Sequence, residues 1–354
     1  MSRRRSSVGR VSRILLGVVV GAAIVLQTGP VLASDGVREI DSACALGPGC
    51  FSGDAPGLPV TIDGSAGRSY RLTTDLTQAP FAPSVAAIID ITTSDVTIDL
   101  NGYSVASCLA ALCQNVNTAS AGILGSGPGI AIRDGRVTRF LNYGIRLPAG
   151  QALIQRVDLD AIPVFESILV GPGSILEDLG VGTTTTTSSP AQPFLAVAGP
   201  GSIVRHSGFG LGLAGGALRV EAGSLVLSNG IFVPLIADPL LPRRGIRAEA
   251  DCRLETNRVK EISPSIGVDA EIGAMLVRNV VQGDVVVAGS GQVQGNAILL
   301  ESGGSPSFAL TLGPGTTYRE NVVAATLATA DPVGGSLFLN MGENACDEST
   351  ASCP

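Results

Sequence analysis

Asp158, Asp160, Glu177 and Asp178 lie close together along the chain, with Arg156, Arg205 and His206 around them. Carboxylates brought onto neighbouring elements are the ligand type that calcium prefers. A guanidinium or imidazole beside such a site can take a proton from carbon next to a carboxylate, so these residues are the candidates for metal binding and proton abstraction. They also have a plainer reading, since charges at turns and on outward strand faces are ordinarily solvated and a corner histidine is ordinarily a turn residue. Zinc is disfavoured, because no two cysteines are separated by two residues and His206 is the single histidine. No nucleophile elbow, phosphate loop or dinucleotide fingerprint stands in a strand-to-helix setting.

What must position these side chains is a repeat. Ile88–Thr92 and Val96–Leu100 are two β-branched runs in which apolar residues alternate with short polar ones, each closed by turn residues. Looser copies follow as far as about Val323, among them SILVGPGSILEDLGV at 167–181, ALRVEAGSLVLSNGIF at 217–232 and GIRAEADCRLETNRV at 245–259. Each reads as a short strand, a tight turn, a second strand, a polar corner and a further apolar stretch. The turn midpoints Gly129, Gly150, Gly173, Gly201, Gly223, Asp251, Gly273, Gly291 and Gly315 recur every 18 to 28 residues, the spacing of stacked repeats. A coil of three short strands fits this period, with half of each strand filling the interior. Helix is disfavoured by 46 Gly and 21 Pro, except over part of 38–46.

Past the midpoints stand Asp134, Asp178, Asn229, Asn257, Asn279, Asn296 and Asn321. They are predicted to form one corner column, because Asn and Asp tolerate the left-handed backbone and bond neighbouring main chain. With the phrase Val96-Thr97-Ile98-Asp99-Leu100-Asn101-Gly102-Tyr103, these units resemble the right-handed parallel β-helix superfamily that includes the pectate lyases, over about Thr61 to Val323. They are similar also to bacterial secreted proteins described only as right-handed β-helix repeat proteins. The resemblance implies an all-β fold, a single-stranded right-handed parallel β-helix of about ten coils. It implies no single activity, since this scaffold hosts lyases, hydrolases, esterases, tailspikes and inert stalks.

The ends and the charge balance complete the expectation. Met1 to Ala33 carries Arg3, Arg4, Arg5, Arg10 and Arg13, an apolar run Ile14–Leu26 and a small-residue exit, the pattern of a secretory signal peptide. Residues 34–83 are expected as an N-terminal cover, 84–330 as the β-helix and 331–354 as a C-terminal cover, because an open coil exposes strand edges. Insertions at Thr183–Pro190 and Phe232–Arg244 should lie outside the coils. Local disulfides Cys44–Cys50, Cys108–Cys113 and Cys346–Cys353 fit an exported chain, with Cys252 left as a buried thiol. Taking those five arginines from 23 basic residues leaves 18 against 30 acidic ones, a net charge of about −12. That balance, with Lys260 the single lysine, argues against nucleic acid and membrane-surface partners, and no membrane insertion is expected after signal cleavage.

The leading expectation is therefore a secreted or cell-surface β-helix acting as a structural, adhesive or binding surface, with no cofactor and a polysaccharide or cell-surface component as its partner. The Asn-Thr-Asp, Asp-Asp, Gly-His-Gly and Arg-Ile-Lys signatures of glycoside hydrolases on this scaffold are missing, and the chain has no Trp for saccharide stacking. The alternative is a calcium-dependent polysaccharide lyase, or another carbohydrate-active enzyme of the superfamily. It would use Asp158, Asp160, Glu177 and Asp178 for calcium and Arg156, Arg205 or His206 as the base.

Overall fold

A period of two in burial runs along the chain: Leu225-Val226-Leu227 is half-buried, buried, half-buried, and Gly230-Ile231-Phe232-Val233 is exposed, buried, exposed, buried. Such strands must hide one face, and they do so by stacking coil upon coil. The computed structural model describes residues 36–78, 85–107, 121–140, 142–161, 166–183, 194–210, 216–233, 244–261, 266–300, 308–325, 331–335 and 338–346. The segment read as a signal peptide, Cys108, Cys113, Cys353 and most of both insertions lie outside them.

Within Gly36–Pro354 the strands form a parallel β-helix with three faces. The first sheet has 12 strands, from Val60–Ile62 through Ala87–Ile91 to Asp331–Gly335. The second runs from Val37–Ile40 and Ser69–Leu72 to Leu339–Asn340, and the third from Leu76–Thr77 and Ser104–Ala106 to Ala345–Cys346. Ala131–Thr138 and Leu153–Ala161 pass from second to third without a break and join the two into one 23-stranded sheet. In one coil, Gly216–Val220 lies in the first sheet, Leu225–Leu227 in the second and Gly230–Val233 in the third, before Arg244–Ala248 opens the next coil. Strands in the segments expected as covers also pair into the stack, which extends from Val37 to Cys346 rather than from 84 to 330.

The interior is built of identical positions repeated in register. In the second sheet Ile98, Ile132, Ile154, Leu176, Val204, Val226, Leu254 and Leu276 stack directly, each at most 1% exposed. Each such aliphatic contributes about 1.5–3 kcal/mol relative to water. Near the two ends Tyr70 and Tyr318 take this position and meet Phe51 and Phe338, so aromatic pairs close the aliphatic column.

The turns follow the predicted column with two corrections, the first being that Gln151 (φ 52°) and not Gly150 stands level with Gly129 and Gly173. Gly129, Gly173, Gly201, Gly223 and Asp251 have φ between +58° and +71°, but in the shortest coil Ser290 (φ 46°) holds the left-handed place, not Gly291. The position after the midpoint is a ladder of its own. Ser202 N–H donates to Ser224 Oγ and Ser174 N–H to Ser202 Oγ, both at 3.2 Å. Cys252 occupies the next rung, fully buried and free, its Sγ 3.2 Å from Glu221 O. Burial pushes its thiol pKa up, which suits a packed group rather than a nucleophile.

The corner column needs a larger correction, because the structure separates two neighbouring positions. Asp134, Arg156, Asp178, His206, Ser228, Thr256 and Arg278 are the left-handed residues, with φ between +51° and +60°. One residue later, Ser207, Asn229, Asn257, Asn279, Asn296, Asn321 and Asn344 form a ladder, buried from Ser207 through Asn321. Asp134 and Asp178 therefore belong to the turn position and not to the amide column. Each ladder Asn is fully employed: Asn257 Oδ1 accepts from Asn229 N–H and Nδ2, and its own Nδ2 donates to Val226 O and Asn279 Oδ1, all at 2.9–3.0 Å.

At the N-terminal end, Asp54 covers strand edge: its carboxylate accepts from Thr61 N–H and Cys50 N–H, both at 2.8 Å. A one-turn helix, Ser42–Ala45, falls in the span left open to helix and is capped by Asp41. The Cys44–Cys50 disulfide follows it as expected. Cys346 is also disulfide-bonded.

Replacing Asn257 by Ala removes the acceptor of Asn229 N–H, one of the two acceptors of Asn229 Nδ2 and the amide donor to Val226 O, so it should lower the unfolding free energy by about 2–4 kcal/mol. Urea denaturation of the full chain reads this, and Asn257→Asp should not rescue it, since a carboxylate cannot donate to Asn279 Oδ1.

Candidate functional site

Short strands with outward residues in register bring chemically unlike side chains from consecutive coils side by side, and the charged residues singled out in the sequence collect on the second sheet and its corner. Arg71, Asp99, Arg133, Gln155, Glu177 and Arg205 are successive residues of one outward row. Their signs alternate and their side chains meet: Asp99 lies 3.9 Å from both Arg71 and Arg133, Gln155 donates to Glu177 at 3.1 Å, and Arg205 approaches Glu177 at 2.8 Å. The corner row beside it repeats the pattern. Arg156 donates to Asp134 through Nη2 at 2.9 Å, and His206 Nδ1 lies 3.9 Å from Asp178. The Arg156 hydrogen bond holds the Asp134 carboxyl below the usual carboxylate range, and Asp134 raises the guanidinium in turn.

This arrangement decides what each candidate is placed to do. Glu177 stands on the second sheet and Asp178 at the corner, while Asp158 and Asp160 point outward from the third sheet, with Arg136 3.7 Å from Asp158. The four carboxylates expected to share a calcium ion are thus spread over two faces and a corner. Among the described residues no three acidic, His or Cys side chains converge to hold a metal. Arg156, Arg205 and His206 are likewise brought to carboxylates of the preceding coil rather than to a shared cavity. Hollows among the described residues lie elsewhere, one of about 490 Å³ beside Arg38, Phe51 and Ser65 and one of about 300 Å³ beside Gln294, Thr317 and Arg319.

One titratable group escaped the sequence reading. Asp284 opens a first-sheet strand, is 3% exposed, and its Oδ1 has no hydrogen-bond partner. Gly283 alone links it to the third-sheet strand Val280–Gln282, and the register shifts beneath it between Ile266 and Val268. Burial raises its pKa to about 7. The available signal was the coil length: Asn279 and Asn296 are 17 residues apart where other ladder steps take 22 to 28, so the outer loop is missing here. Ser207 and Asn344 were also missed as ladder members, because Ser lacks the amide and Asn344 lies beyond the last legible repeat.

No protein-family model matches the chain, and searches of curated proteins and of solved structures return no match.

The folded chain holds the Asp284 proton to about pH 7, whereas the unfolded chain releases it near pH 4. Stability should accordingly fall as pH rises between those values and level off above, by about 4 kcal/mol in all. Asp284→Asn should flatten that part of the curve, as read by thermal unfolding across pH. On the second sheet, Arg156→Ala should cost less than about 1 kcal/mol because the pair is exposed, and added calcium should leave the melting temperature unchanged.

Proposed function

We propose that this chain is an exported, right-handed β-helix of pectate-lyase-like lineage that serves as a structural, adhesive or binding surface rather than as a catalyst. The observation that carries the reading is the scattering of the charges a lyase would require: those of the second sheet and its corner are engaged coil by coil, and Asp158 and Asp160 stand apart on the third sheet. Glu177 is engaged by Arg205 and Gln155, Asp134 by Arg156, and Asp178 faces His206. A calcium site needs several carboxylates aimed at one point, and a general base needs an open approach to its substrate. The paired row offers no point of convergence, and its candidate bases are turned to carboxylates rather than to a shared cavity. Export is supported by the arginine-led apolar start of the chain and by the Cys44–Cys50 disulfide, a bond that persists in oxidising compartments. A polysaccharide or cell-surface component is the partner class this reading takes.

The test is an assay of the full chain against a panel of uronate polymers with calcium, following unsaturated products by absorbance, alongside retention of the chain on the same polymers and on cell envelopes. Retention without product is the expected result. Product that disappears in Asp158→Ala and Arg156→Ala would overturn the reading and establish a lyase.

A further inference from the structure

The third sheet treats its charges differently from the second. In register along its outward face lie two rows, Asp158, Gly180, Gly208, Gly230, Arg258 and, two residues on, Asp160, Gly182, Gly210, Phe232, Lys260. Asp160, Arg258 and Lys260 have no ion pair among the described residues, and Asp158 has only the loose contact to Arg136, both side chains being 67% exposed. Two acids thus end the strip on one side and two bases on the other, four rungs or about 19 Å apart. Between them the backbone is bare except for Phe232, which is 42% exposed. Among the described residues nothing stands over Gly182, Gly210 or Gly230.

We propose that this strip is a self-complementary interface through which two copies of the chain pair face to face about a two-fold axis along the strand Gly208–Gly210. Such an axis reverses the order of rungs in the second copy and keeps the position along the strand. It sets Asp158 and Asp160 of one copy against Arg258 and Lys260 of the partner subunit, twice. It also sets Phe232 over Gly182 of the partner subunit, twice, where no described side chain competes for the space. At the centre Gly208 and Gly210 face their own counterparts, so the two backbones approach closely. Unpaired charge, an exposed aromatic ring and an open floor on one face are all answered by one operation. The strip is five rungs long and two outward residues wide, well short of the standard interface of about 800 Å² per partner. The pairing is therefore weak, reversible and salt-sensitive. It stands independently of whether the chain is catalytic.

Sedimentation equilibrium of the full chain over a wide concentration range tests it. In low salt the expected result is a monomer–dimer equilibrium whose dissociation constant rises about tenfold or more in high salt. Reversing the acids (Asp158→Lys with Asp160→Lys) or the bases (Arg258→Asp with Lys260→Asp) should each abolish the dimer. Mixing the two reversed chains, or combining all four changes in one chain, should restore it. Gly182→Trp, which fills the place of Phe232 without touching a charge, should also leave a monomer. Thermal melting of each variant checks that the stack is intact. A monomer at every concentration, a dimer indifferent to the reversals, or reversed chains that melt like the parent yet fail to pair when mixed would overturn the proposal.

Discussion

A backbone that turns a corner inside a protein must find partners for its N–H groups, and the corner between the second and third sheets is where this chain faces that demand in coil after coil. The left-handed residue at each corner turns the chain, and the main-chain N–H that follows points along the stack rather than across a strand. One residue type answers the whole requirement. The Asn side chain has an oxygen that accepts from the coil before, and a nitrogen that donates both to main chain and to the coil after. The parallel strands inherit their register from this ladder, because neighbouring coils can slide past each other only by breaking it. In-register apolar columns such as Ile154, Leu176 and Val204 then follow as a geometrical consequence.

The same stacking that aligns the core also aligns the surface, so the outward rows behave as designed sequences read across coils instead of along the chain. On the second sheet this produces Arg, Asp, Arg and then Gln, Glu, Arg, in which each group lies beside a neighbour of opposite charge or a polar one. On the first sheet Arg244 with Asp269, Arg247 with Glu271 and Arg219 with Glu249 do the same. A charged side chain in a β-helix cannot be assigned a task from its place in the sequence, since the groups nearest to it are about one coil away in both directions.

Much of the architecture was legible because local chemistry and coil geometry agree. Gly at the turn midpoints reports a positive φ, and alternation in runs such as Leu225–Leu227 reports which residues face in. The corner was misread where two adjacent positions ask for different properties. Asp134 and Asp178 resemble Asn in side-chain chemistry but sit at the left-handed turn, and the true ladder position in those coils is filled by Gly135 and Leu179. Gly291 was misplaced because, in a short coil, Ser290 adopts the strained turn while Gly291 sits where a Cβ would strike Val287 and Ala274. The candidate acidic site was misjudged for a different reason: spacing along the chain placed Asp158, Asp160, Glu177 and Asp178 together, whereas a corner of the coil turns them away from one another. Asp284 depended on the missing outer loop of its coil, a property no single residue displays.

The amide ladder also has a direction. Each Asn oxygen accepts from the main-chain N–H of the preceding coil, from Ser207 toward Asn344, and from Asn257 onward also from the side-chain amide before it. Because a ribosome delivers the N-terminal portion first, every corner is synthesised before the group that completes it exists. A coil at the C-terminal edge of the ladder is one acceptor short without its successor, which gives the ladder a single unfinished tip. Among the described residues the ladder ends at Asn344, whose amide nitrogen turns to Tyr318 O and Asn340 Oδ1, a stop written in hydrogen bonds.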